Sequence, residues 1–149
     1  REYGVDLIEI SSHAGARPKC APYQGRIFSL SGTHEKYPLF SSTSYGDPGG
    51  LFGVNCGHVK YPYIEGVSKR TFKPVPEKEN ERIYEESQKQ RYLERRIRQA
   101  KREAEMMKDM GDMEGYQEAK RKIRDRQASM RDFIRSTGRT RRISREQIS

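Results

Sequence analysis

The sequence predicts an α+β protein: a small loop-rich sheet unit followed by a long antiparallel α-helical hairpin. Three observations carry this. Residues 1–75 hold short runs of β-formers punctuated by Gly and Pro. Pro74-Val75-Pro76 then makes a stiff linker. Beyond it, apolar residues recur every seven positions, as in a helical seam. The chain therefore divides into units over 1–75 and 76–149, with helices over about 77–110 and 112–136.

Taken in order, Tyr3–Ile10 (YGVDLIEI) alternates and is rich in β-formers, so it reads as a strand. A small-residue loop from Ser11 to Pro18 ends it, because Pro18 cannot donate to a ladder. Gly25–Gly32 is a second short strand, with Phe28 and Leu30 alternating between bounding glycines. Thr33–Pro38 is turn-like, Leu39–Tyr45 reads as a strand or an ordered loop, and Gly46-Asp47-Pro48-Gly49-Gly50 is a strong turn. In the second half, Ile83, Gln90, Ile97 and Ala104 form one row of the seam, and Leu93, Ala100 and Met107 the other. Gly111 suits a helix C-terminus and Asp112 the next N-cap. Tyr116, Ile123 and Met130 continue the sevens, widened by Ala119, Phe133 and Ile134, to an end near Thr137-Gly138. Two helices joined by so short a break make an antiparallel hairpin. Its seam contains Gln90 and two alanines, so the hairpin is expected to dock on something larger, either its own first half or a partner. Ser144-Arg145-Glu146-Gln147 is suited to cap one last short helix.

Composition narrows the function classes. Of 149 residues, 32% are hydrophobic and 34% charged, there is no Trp, and mean hydropathy is -1.07. No stretch approaches the roughly 20 apolar residues of a membrane-spanning helix, so no membrane partner is expected. A single large core is disfavoured, and the helical period of the polar half argues against full disorder. Residues 1–75 carry nine basic and six acidic side chains, a net of +3; residues 76–149 carry twenty-one and fifteen, a net of +6. That excess favours an acidic partner such as nucleic acid. The intermixed acids fit equally a solvated helix surface laced with ion pairs. Two cysteines are too few for a disulfide scaffold. The chain starts at Arg1, with no Met and no apolar leader run, which suggests a processed or truncated piece.

Several residue groups could carry chemistry. His13, Cys20, Cys56 and His58 are the ligand types zinc selects, and a closed site of this kind can hold a small domain together. The spacing is not that of a zinc finger: six residues separate His13 from Cys20, and one separates Cys56 from His58. A buried thiol pair, a disulfide, loop residues bonded to backbone, and a catalytic thiol–imidazole pair stay open as readings of the same residues. On a strand, Cys56 and His58 would point to one face, with Asn55 and Asp47 near enough in sequence to orient an imidazole. Arg17, His13 and the Ser41–Ser44 run, Ser44 above all, would suit a nucleotide- or NAD-directed pocket, since Arg and hydroxyls hold phosphates. On the helices, Arg91, Arg95, Arg96, Arg98, Lys101 and Arg102 crowd one, and Lys120, Arg121, Lys122, Arg124 and Arg126 the other. Acids such as Glu94, four residues before Arg98, are placed to pair with them. The tail is more purely basic: Arg135, Arg139, Arg141, Arg142 and Arg145 stand with no acid among them. It is the better phosphate binder, with an acidic patch on a partner protein as the other reading.

The order of segments resembles a known family. Ser11–Pro22 (SSHAGARPKCAP), Gln24–Leu30 (QGRIFSL), Thr43–Gly46, Gly53–His58 (GVNCGH) and Tyr61-Pro62-Tyr63, followed by Glu/Arg-rich helices ending in Ser-Arg-Glu-Gln, are similar to the phage minor capsid protein 2 family. Its members are virion proteins of tailed phages, encoded beside the portal protein and distantly like Mu F-type head-morphogenesis proteins. The resemblance implies a minor capsid or head-morphogenesis protein, made in the bacterial host cytoplasm and placed inside the capsid near the portal vertex. Its implied partners are the portal protein, other capsid proteins and packaged DNA, with several copies per virion. Family members extend further at the N-terminus, so this chain corresponds to their C-terminal portion. A Cys/His run in the Mu F-type relatives sits where Asn55–His58 sits here, which strengthens the expectation of zinc. A structural protein is thus favoured over an enzyme; the alternative is an enzyme-like effector domain using the Arg17/His13/Ser44 region.

Overall fold

A computed structural model describes residues 6–32, 34–54 and 56–149. The Tyr3–Val5 end of the first predicted strand, Thr33 and Asn55 lie outside the described residues. The chain forms two compact units, Arg1–Glu85 and Glu86–Ser149, and one long helix runs through the boundary between them.

The first unit is built on three antiparallel strands in the order β2-β1-β3: β1 is Leu7–Ile10, β2 Ile27–Ser29 and β3 Lys60–Tyr63. β1 pairs Ile8 with Phe28 on one side and with Pro62 on the other. As the central strand it is buried at every position. Ile8 and Ile10 point into a core with Cys20, Phe28, Phe40 and Leu51. On the opposite face Glu9 is only 3% exposed, and its Oε2 accepts the backbone N–H groups of Thr71 and Phe72, each at 2.8 Å. A buried carboxylate so satisfied avoids the cost of an unpaired polar group. β3 is the strand the sequence did not single out, because Pro62 interrupts it. Pro62 is tolerated there because β3 is an exposed edge. The Leu39–Tyr45 segment is not a strand. Phe40–Ser42 makes a 3-10 turn, held by Ser42 Oγ and Thr43 Oγ1 donating to the carbonyls of Leu39 and Phe40.

The second unit holds α1 (Glu77–Asp109) from Glu86 onward and α2 (Met113–Thr137), which run antiparallel. Arg126 Nη1 donates to the carbonyl of Arg96 at 2.7 Å, and Lys122 lies 3.0 Å from Glu103 Oε1. Asp112 caps α2 by accepting from the Gly115 N–H at 2.9 Å, and Gly138 ends it in the left-handed conformation. The buried positions of α1 in this unit are Gln90, Glu94, Ile97, Ala100 and Ala104, facing Ala119 and Met130 of α2. The seven-residue row of 90, 97 and 104 is therefore the seam, and a glutamate enters it beside Leu93.

Two glycines separate conformational strain from steric exclusion. Gly25 holds φ +66 at the turn into β2, and a Cβ there would stand 2.4 Å from the Lys73 carbonyl carbon. Gly66 holds φ +80 with nothing within 4 Å of such a Cβ. Gly66→Ala is expected to cost about 1 kcal/mol, the left-handed strain alone. Gly25→Ala must also move backbone and is expected to cost about 3 kcal/mol or more. Urea unfolding midpoints of the two variants check this, and equal losses would contradict it.

Candidate functional site

At the end of the sheet where β1 finishes and β2 and β3 begin, two loops come together. One is the β1–β2 connection, folded back by Gly25 N–H donating to the Ile10 carbonyl and Cys20 N–H to the Arg17 carbonyl, both at 2.9 Å. The other is the segment before β3, tied to β1 by Ser11 N–H donating to the Val59 carbonyl at 2.9 Å and Val59 N–H to Ser11 Oγ at 2.8 Å. The first loop supplies Cys20, the second Cys56 and His58. Their ligand atoms all lie within 4.8 Å of one another. Cys20 Sγ and Cys56 Sγ are 3.7 Å apart, and Cys56 Sγ is 3.4 Å from His58 Nδ1. Both cysteines are free thiols. His13 does not join that cluster. Its ring stacks on His58 with centroids 4.4 Å apart, on the exposed side.

A buried amide relay orients His58. Ala16 N–H donates to Asn80 Oδ1 and Asn80 Nδ2 donates to the Ala16 carbonyl, both at 2.9 Å, so the backbone decides which way the Asn80 amide faces. Asn80 Oδ1 then accepts from Gln24 Nε2 at 3.3 Å, which turns Gln24 Oε1 toward the histidines. There it accepts the His13 N–H at 3.1 Å and meets His58 Nε2 at 2.8 Å. An oxygen so placed requires a proton on Nε2, which leaves Nδ1 as a bare lone pair facing the sulfurs. Gln24 is fully buried; sequence reasoning named it only as the start of the Gln24–Leu30 block of the family resemblance and gave it no role.

Electrostatics keep the site uncharged at the imidazole. Burial, helped by the charges of His13 and Arg17, lowers the His58 pKa to about 4. Burial raises the Cys20 thiol, and the neighbouring Cys56 adds to the effect. At Cys56 burial is outweighed by the backbone N–H groups of His58 and Phe52, by Cys20 and by Arg17, and the thiol is lowered.

The residues of the nucleotide-pocket reading have structural occupations. Arg17 Nη2 donates to the Gly50 carbonyl at 3.3 Å and reaches Cys20 Sγ at 3.7 Å. Ser44 Oγ donates to the Lys19 carbonyl at 2.7 Å and accepts the Leu51 N–H at 2.9 Å. Both brace the loops around the thiols.

The five tail arginines separate into two groups. Arg139 Nε donates to Gln90 Oε1 at 2.8 Å, and Gln90 Nε2 donates to the Thr140 carbonyl at 3.0 Å. Arg141 forms a bidentate pair with Glu146, and Arg145 Nε donates to Glu94 Oε2 at 2.9 Å. Arg98 donates to the Arg145 carbonyl, so Glu94 pairs across to the tail and not with Arg98 four residues on. Arg135 and Arg142 remain on the surface, Arg135 beside an equally exposed Asp132. The tail is thus folded against α1 and fills the polar positions of the seam.

The sequence pattern of the phage minor capsid protein 2 family matches residues 1–135. The chain belongs to the phage minor capsid protein 2 family. A structural protein of Lactococcus phage LL-H is 32% identical over 139 residues, covering 90% of this chain and 38% of its own length. A structural protein of Lactococcus phage mv4 is 35% identical over 115 residues, covering 76% of this chain and 94% of the relative. The chain therefore spans well under half of the LL-H protein. No solved structure matches. The family match takes in the thiol–imidazole cluster, α1 and most of α2, and ends before the folded tail.

The tail geometry makes two neighbouring arginines unequal. Glu146 is 1% exposed, so Arg141→Ala strands a buried carboxylate and is expected to cost about 3 kcal/mol. Arg142→Ala, on the surface, should stay within about 0.5 kcal/mol of the parent. Chemical denaturation of both variants checks the contrast, and equal effects would contradict the folded tail.

Proposed function

We propose that this chain is a virion component of a tailed-phage head, docked inside the capsid at the portal vertex through its helical hairpin. The observation that carries the reading is family membership over residues 1–135, together with relatives described as structural proteins of phages. Other capsid proteins, the portal among them, are the partners. Among the described residues, no helix is long and apolar enough to cross a membrane.

The charge distribution supports an acidic surface, packaged DNA included, as a further contact. Arg91, Arg95, Arg102, Lys120, Arg124 and Arg131 are exposed on the hairpin, with Arg135 and Arg142 at its end. Phosphate contacts by such side chains are independent of sequence and sensitive to salt. Arg139, Arg141 and Arg145 serve instead to hold the shape that presents them. Exposed Met106, Met110 and Met113 around the interhelix turn add a polarizable apolar surface suited to protein contact.

Quantitative mass spectrometry of purified, DNA-filled virions, counting this chain against the portal protein, tests the reading. A fixed small ratio to the portal from one preparation to the next is the expected result. Absence from virions, or a copy number close to that of the major capsid protein, would overturn it.

A further inference from the structure

Three ligand atoms from two separate loops converge within 4.8 Å of one another at the end of the sheet, and two of their separations are those of a bound metal. A tetrahedral zinc with bonds of about 2.3 Å to sulfur and about 2.0–2.1 Å to nitrogen sets two sulfurs about 3.8 Å apart, and a sulfur and a nitrogen about 3.5–3.6 Å apart. Here the sulfurs are 3.7 Å apart, and Cys56 Sγ is 3.4 Å from His58 Nδ1. A disulfide would need sulfurs at about 2.05 Å. The imidazole is also turned correctly. Gln24 Oε1 accepts a hydrogen bond from His58 Nε2–H across 2.8 Å, the arrangement in which a metal-bound histidine is oriented by a carbonyl behind it. Cys20 is 1% exposed and His58 7%, while Cys56 is half-buried, so two of the three ligands are shielded and the third borders solvent.

We propose that Cys20, Cys56 and His58 bind one zinc ion, with water in the fourth position. The ion replaces the two thiol protons, which leave to solvent, so the two thiolates balance its charge. His13 forms the wall beside His58 and is not a ligand. The site ties the β1–β2 loop to the lead-in of β3 and so cross-links a unit whose apolar core is small. This assignment is independent of where in the virion the protein sits.

The test uses the full 149-residue chain purified under reducing conditions, with metal content measured by mass spectrometry. Cobalt is then substituted for zinc and its visible and near-ultraviolet spectrum recorded. About one zinc per chain is expected, retained in His13→Ala and reduced about tenfold or more in Cys20→Ser, Cys56→Ser and His58→Gln. The cobalt form should show the intense visible bands of a tetrahedral ion and thiolate-to-cobalt charge transfer. If a cysteine variant fails to fold, the cobalt spectrum of the parent decides. Any one of four results would overturn the proposal: folded parent chain without stoichiometric metal, a cobalt spectrum lacking thiolate charge transfer, full binding by folded Cys56→Ser, or loss of metal in His13→Ala.

Discussion

The first unit depends on Gln24. Its side chain is fully buried, and each end of its amide is committed: Nε2 to Asn80 on the first turn of α1, Oε1 to the His13 backbone and the His58 ring. Through these contacts the β1–β2 loop, the lead-in to β3 and the start of α1 share one hydrogen-bonded junction. A buried network of this kind is stabilising only when every member is satisfied, because in a low-dielectric interior an unmade bond costs more than a made one contributes. The direction of the whole relay originates in the Ala16 backbone, which cannot flip. Backbone geometry at Ala16 thus selects the tautomer of an imidazole on a different loop.

The second unit uses polar burial differently. Gln90, Glu94 and Glu146 are each no more than 2% exposed, and each is met by an arginine from the tail. Such pairs add little net stability compared with apolar side chains of the same volume, because desolvation offsets the attraction. They do demand particular partners. A seam of Ile97, Ala100 and Ala104 would accept many apolar neighbours, whereas the carboxylate of Glu94 requires a guanidinium and so dictates where the tail lies. Three of the arginines that look most like a free basic tail, Arg139, Arg141 and Arg145, are ones the fold consumes, and surface arginines of the helices stay exposed.

Much of the fold was legible because local rules and tertiary structure agree. The seven-residue row, the Asp112 cap and the glycines beyond each helix are short-range signals, and the helices follow them. β1 was readable because alternation survives even in a strand buried on both faces. β3 was not, since Pro62 removes the local strand signal and only its edge position, a tertiary fact, permits it. In the site, Cys20, Cys56 and His58 could be nominated from side-chain chemistry, but His13 was nominated with them on the same grounds. What distinguishes them is the fold: His13 stacks on the outside of His58, and its backbone, more than its ring, joins the relay. Gln24 and Asn80 carry no chemical signature in a sequence, since buried amides become organisers only when a specific geometry surrounds them. The tail was read as a phosphate binder because the partners of Arg139 and Arg145, Gln90 and Glu94, lie about fifty positions earlier, and Glu146, the partner of Arg141, lies just past the basic run.

The claim on which the site rests is the orientation of one ring. Long-range proton–nitrogen correlation by NMR reads the His58 tautomer directly, with or without a bound metal. The account predicts a proton on Nε2, held by Gln24, and Nδ1 directed at the cysteine sulfurs. A proton found on Nδ1 would contradict it, because the relay from Ala16 through Asn80 and Gln24 would then point the wrong way.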